Sequence, residues 1–239
     1  MANLVQLRML ENLDGFLLVD KPVGMAFSTV VKTVKRKFNL VKVGHGGSLD
    51  AAASGLLVLL INDANKFVGD VMGADRTWSG EMQLGRRTNT GDSHGALLEE
   101  RPVPADLPLE TVLPDFRGDV FQTENAYCSV RREGSPDYEV VPTGPHKPFL
   151  AHVYRFDVEP PRADGRASFT VSGTKGLLVR ALVDDLGVAL GCGAVLASLR
   201  RTTVGRYSVT EAIPFDRLLE TPLGDFAALV RPLSEALAR

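Results

Sequence analysis

Cysteine is nearly absent. Cys128 and Cys192 are the only two among 239 residues, and two thiols without a secretory signal read as free thiols of a reducing compartment, not as a disulfide framework. The start, Met1-Ala2-Asn3-Leu4, carries no basic segment ahead of a long apolar core, so no secretion signal is read there. No apolar run approaches the ~20 residues of a membrane span. The expectation is a cytoplasmic protein without membrane contact. His45, His94, His146 and His152 show no ligand spacing, which argues against a metal site. Excess positive charge is lacking too: the net charge is −2, which argues mildly against a general nucleic-acid binder.

Acidic residues, however, are missing from two long stretches. Lys21, Lys32, Lys35, Arg36, Lys37 and Lys42 fall between Lys21 and Leu49 without an Asp or Glu, and Arg200, Arg201 and Arg206 fall between Leu186 and Thr210, again without one. Such stripes can bind phosphates in a salt-dependent way; the plainer reading makes Lys32 to Lys37 the wet face of a helix.

What is present is organised around Gly44-His45-Gly46-Gly47-Ser48-Leu49-Asp50. Three glycines surround a histidine and permit close approach of another backbone. The loop ends in a carboxylate just before the apolar run Leu56 to Ile61. A carboxylate on such a border is more often a cap or turn residue than a catalyst, and spacing alone does not lift Asp50 above that.

Periodicity predicts strands at Gly15 to Val19, Leu56 to Ile61, Thr77 to Leu84, Asp119 to Gln122, Ala126 to Arg131, Ala151 to Glu159 and Ala167 to Ser172. It predicts a helix capped by Ser28 or Thr29, a short one over Ala64 to Met72, and an apolar one over Leu177 to Leu190 stopped by Gly191. Residues 101 to 114 read as a connection, Gly134 to Pro148 as an ordered loop or flap, and segments from Phe215 onward as helices. Many short strands with few helices give an α+β class with a mixed sheet.

The Gly44 to Asp50 loop is preceded by Gly15-Phe16-Leu17-Leu18-Val19-Asp20-Lys21-Pro22-Val23-Gly24. It is followed by Leu84-Gly85-Arg86-Arg87-Thr88-Asn89-Thr90-Gly91-Asp92, by Thr174-Lys175-Gly176 through Arg180, and by Leu199-Arg200-Arg201-Thr202 with Gly205. In order and spacing, over roughly residues 12 to 215, this resembles the TruB-like tRNA pseudouridine synthases. The resemblance implies a long, mostly antiparallel sheet flanked by helices and loops, with a central RNA-binding cleft. It implies a catalytic domain at 1–212 and a helical tail at 213–239, too short for the C-terminal PUA domain of many family members. It implies isomerisation of uridine to pseudouridine at the T-loop uridine (position 55) of tRNA, by a monomer using no cofactor. Asp50 matches the nucleophile and Arg180 the arginine that pairs with it; taken alone, Arg180 reads as an i, i+4 partner of Asp184. His45 matches a histidine supporting the flipped-out RNA, Leu199 a leucine lining the uracil pocket, and Lys175 a phosphate contact.

The departures are as informative. Trp78 stands where the family has a tyrosine that stacks on the base; an indole can stack but offers only an N–H donor. Leu178 stands where a second tyrosine is usual. Two prolines of the family's Q-x-P-P segment are missing at Glu124 and Asn125. Two functional classes therefore follow: an RNA uridine isomerase, favoured by Asp50 and Arg180, and a catalytically impaired tRNA-binding or folding chaperone, favoured by Trp78 and Leu178.

Overall fold

The computed structural model describes residues 10, 12–131, 135, 137–144 and 147–234. The expectations touching Gly134 and His146 lie outside the described residues. In chain order the strands are β1 (Gly15–Lys21), β2 (Val43–His45), β3 (Ala53–Ile61), β4 (Arg76–Leu84), β5 (Arg86–Thr88), β6 (Leu97–Glu100), β7 (Gly118–Gln122), β8 (Tyr127–Val130), β9 (Glu139–Pro142), β10 (Phe149–Val158), β11 (Arg166–Gly173), β12 (Ala194–Val204), β13 (Tyr207–Ser208), β14 (Ile213–Pro214) and β15 (Arg231–Pro232). The α-helices are α1 (Phe27–Lys37), α2 (Val68–Gly73), α3 (Leu109–Val112), α4 (Val179–Ala189) and α5 (Phe215–Glu220). The class is α+β, with mostly antiparallel strand pairing.

The chain forms two compact units, and β12 contributes its first residues to one and its last to the other. The first unit joins residues 1–74 to residues 201–239. Here β1 pairs antiparallel with β3 from Gly15↔Ile61 to Lys21↔Gly55, parallel with β14 and antiparallel with β15. β1 and β3 are apolar almost throughout because both faces of this sheet are covered. On one face Leu17, Val19, Leu57, Leu59 and Ile61 pack with Val30, Val34 and Phe38 of α1 and with Phe215, Leu218 and Phe226. On the other, Phe16, Leu18, Val58 and Leu60 pack with Ala64, Val71 and Tyr207. Phe38 and Phe226 stack at 3.8 Å between ring centroids. Gly55 is obligatory: its φ is +104°, and a Cβ there would lie 2.3 Å from the carbonyl oxygen of Arg201.

The second unit comprises residues 75–200. β4 pairs with β11 from Arg76↔Gly173 to Gln83↔Arg166, β11 with β10, and β10 with β7. The alternation expected over β4 is present: Trp78, Met82 and Leu84 are buried. Separate hairpins are formed by β5 with β6 and by β8 with β9.

Several local expectations are corrected. Neither Ser28 nor Thr29 caps α1; the helix starts after Ala26, without a side-chain cap. The segment expected as one short helix is a 3₁₀ turn at Asn62–Phe67 running into α2. The connection at 101 to 114 holds α3 and the start of a 3₁₀ turn at Leu113–Phe116. Part of the expected loop between 134 and 148 is β9, paired to β8 from Tyr127↔Pro142 to Val130↔Glu139. The largest omission is β12: two adjacent arginines break its apolar pattern, and periodicity alone passes over it.

Candidate active site

In the first unit the glycine loop leaves the sheet along β2, whose residues Val43, Gly44 and His45 pair with Ile61, Leu60 and Leu59 of β3. The Gly46 amide continues the pairing to the Val58 carbonyl at 2.8 Å. Glycine at 46 lets the backbone pass Val71 closely; a Cβ there would lie 2.2 Å from a Val71 methyl. His45 is half-buried, its ring 4.8 Å from that of Phe27. The Gly47 N–H donates to its Nδ1 at 3.3 Å, which suits a neutral imidazole. Burial also pushes the His45 pKa below its ordinary value, and the Arg201 guanidinium acts in the same direction.

The loop descends through buried Leu49 to Asp50, which is exposed. The Asp50 carbonyl accepts from the Ala53 amide at 3.1 Å, and the next carbonyl, of Ala51, accepts from the Gly24 amide at 2.7 Å. The Lys21-to-Met25 turn is thus seated against the nucleophile candidate. Lys21 is fully buried and its Nζ donates to the carbonyls of Pro22 and Met25, both at 2.8 Å. Burial lowers its pKa to about 8; the charge of Asp50 opposes that shift and the charge of Arg201 adds to it. Lys21 therefore lies in the field of both Asp50 and Arg201, all three in the same unit.

One of those cations corrects the sequence reading. Arg201, counted in a phosphate-binding stripe, is 1% exposed. Its Nε donates to the Leu56 carbonyl at 2.8 Å, its Nη1 to the Ser48 carbonyl at 2.8 Å and its Nη2 to the Gly47 carbonyl at 3.3 Å. Lys21 likewise leaves the surface stripe, whereas Lys32, Lys35, Arg36, Lys37 and Lys42 are exposed.

In the second unit Arg180 lies in the first turn of α4, and its Nη1 meets Asp92 Oδ2 at 3.1 Å. Asp184, the partner suggested by spacing, is held by Arg87 through two bonds of 2.9 and 3.0 Å. Asp92 is a buried hub: its Oδ1 accepts from the Thr90 hydroxyl at 2.9 Å, the Ser129 hydroxyl at 2.8 Å and the His94 amide at 3.0 Å. His94 stacks on Tyr138 at 3.8 Å, so the β8–β9 hairpin is tied to the same hub. Leu178 is half-buried immediately before α4, and the buried amide of Gln122 clamps its backbone, donating to its carbonyl at 3.1 Å and accepting its N–H at 3.0 Å. Lys175 is exposed in the preceding turn. Trp78 is 9% exposed on β4, opposite Val171, and Leu199 is half-buried on β12. The sequence reading gave no role to Asp92 or Gln122 and counted Arg201 only among the phosphate-binding cations; all three lay inside quoted motifs, and burial separates them from their neighbours. No group of His, Cys, Asp and Glu able to hold a metal ion occurs among the described residues.

Residues 35–179 match the family of TruB family pseudouridylate synthases (N-terminal domain), and residues 180–238 match the tRNA pseudouridylate synthase B C-terminal domain. The chain belongs to the TruB family. Its members are isomerases acting on uridine in RNA. A tRNA pseudouridine synthase B of Azoarcus sp. (strain BH72) is 37% identical over 94% of this chain and 76% of its own length. A tRNA pseudouridine synthase B of Burkholderia lata is 38% identical over 95% of this chain and 71% of its own length. Among solved structures, a chain of a Cbf5-Nop10-Gar1 complex superposes with a TM-score of 0.71 at 24% identity, covering 96% of this TruB-family chain and 63% of that one. At that identity the likeness shows the fold. A chain of an H/ACA RNP bound to a substrate RNA containing 2'-deoxyuridine gives 0.68 at 25% identity, covering 93% and 60%. The TruB-family chain thus spans about three fifths of the length of these two solved chains.

Proposed function

We propose that this TruB-family chain isomerises a uridine of tRNA to pseudouridine, with the T-loop uridine as target and Asp50 as nucleophile. The observation that carries the reading is Asp50 itself: an exposed carboxylate at the end of a loop fastened on both sides, with two buried cations nearby. The reaction breaks the N-glycosidic bond, turns the base and closes a carbon–carbon bond, which calls for no cofactor. The base must first leave its stack, at a cost of a few kcal/mol. Asp50 then attacks or assists at the sugar or base and is free again once C1′ is bonded to C5; a proton leaves C5 and one is taken up at N1, so the product is an isomer of the substrate.

The remaining roles belong to the same proposal: Trp78 stacks on the target base, Leu178 and Leu199 contact it, His45 supports the opened RNA, Lys175 takes a phosphate, and Arg180 binds the substrate. The exposed cations of α1 extend the contact along the T-arm. Catalysis resides in residues 1–212, while in the tail Ile213–Pro214 and Arg231–Pro232 brace β1 as β14 and β15. The protein works as a cytoplasmic monomer. Trp78 and Leu178, which supply no hydroxyl, favour a second reading as a tRNA-binding chaperone. Incubation with unmodified tRNA, followed by chemical mapping of pseudouridine, separates the two. Product at one T-loop uridine supports the isomerase; tight binding without product on any RNA supports the chaperone.

A further inference from the structure

We propose that Arg201 is a positioning residue for the reaction: its guanidinium sets the place and direction of the loop that carries Asp50. The inference rests on the nucleophile reading of Asp50. Three donors of one planar group reach three backbone carbonyls, those of Gly47, Ser48 and Leu56. Two of these immediately precede Leu49 and Asp50. The third belongs to β3, the strand into which the chain runs after Asp50. The fork therefore fixes the loop at both its ends against one rigid plane.

The amides of the loop point elsewhere: Gly46 N–H to Val58, Gly47 N–H to the His45 ring. The carbonyls of Gly47 and Ser48 face inward, where a donor is required. Arg201 itself is clamped, because the backbone of Gly55 lies so close to its carbonyl that a Cβ could not fit between them. A lysine would bring the charge but only one donor atom, without the plane. The charge of Arg201 also reaches Lys21 and His45, both of which it pushes toward the neutral form. Loop geometry and local field thus come from one residue.

The test uses the full chain and unmodified tRNA transcript under single-turnover conditions. Arg201→Lys is expected to lower the conversion rate about 10²-fold, the effect of a small misplacement of a reacting group, while tRNA Kd changes less than about threefold. In Arg201→Ala, added guanidinium ion is expected to restore at least about tenfold of the lost rate, and ammonium none. A rate and an affinity that fall together, or an Arg201→Lys variant at the wild-type rate, overturn the proposal. Should both variants fail to fold, nitrogen-15 NMR of the wild type still decides: Arg201 Nε–H exchanging with solvent at the rate of an exposed arginine excludes the fork. Asp50→Asn, assayed alongside, keeps the two readings apart. Turnover that survives Asp50→Asn overturns the nucleophile, whereas the rate and affinity of Arg201→Lys judge the positioning role.

Discussion

Asp50→Asn preserves the size of the side chain and removes its charge. Pseudouridine formation is expected to vanish while tRNA affinity changes by less than about tenfold, or ~1.4 kcal/mol, because stacking on Trp78 needs no carboxylate; gel-shift titration beside product mapping reads both. Trp78→Tyr returns a phenol to a strand position that already holds an aromatic ring. If proton removal limits turnover, the single-turnover rate rises, within the ~10²–10⁴-fold that general acid–base groups contribute; an unchanged rate assigns the proton to another base. Lys21 yields a pH prediction. Its folded pKa is about 8 against an ordinary 10.5, so between those values the unfolded chain binds more protons than the folded one. Stability contributed at this position must then rise with pH through that window and level off above it. Denaturant unfolding of wild type and Lys21→Met at pH 7.5 and 10 measures it: the difference in favour of wild type should grow with pH.

The elements differ in how openly the sequence announces them. β1, β3 and β4 were legible because an uninterrupted apolar run or a strict alternation is what a sheet covered on one or both faces requires. β12 was not, since Arg200 and Arg201 sit in its middle and nothing in the local pattern tells a buried, carbonyl-bound arginine from a surface one. The same blindness enrolled Lys21 and Arg201 in phosphate-binding stripes; burial withdraws both, Lys21 onto the carbonyls of Pro22 and Met25 beside it and Arg201 onto a partner some 150 positions away in the chain. Asp50 stood out as a candidate solely through the order of several motifs; Asp92 and Gln122 act on backbone and side chains 37 to 88 positions distant, beyond any local reading. α1 keeps its cations at the surface, and they support a test. Neutralising Lys35, Arg36 and Lys37 together should weaken tRNA binding and reduce the slope of log K against log salt by up to about 2–3, since each phosphate contact contributes ~0.7–0.9. An unchanged slope would make this helix face merely solvated.

At the scale of the whole chain, the unit that carries Asp50 is discontinuous. Its first 74 residues are followed by the entire second unit before residues 201–239 arrive. Ser48 and its donor on Arg201 are 153 positions apart. During synthesis at ~5–20 residues per second, that interval lasts on the order of ten seconds. Throughout it the glycine loop exists without its fork, and β1 lacks β14 and β15. A nascent chain arrested after Leu196 should accordingly be cut by protease between Gly44 and Asp50, while the released full-length chain resists; equal resistance in both would show that the loop closes without Arg201. The ribosome thus delivers Asp50 early and the fastening of its loop late; on the proposed reading, competence for chemistry is withheld until Arg201 has been translated. A polypeptide abandoned midway would carry the carboxylate without the means to aim it.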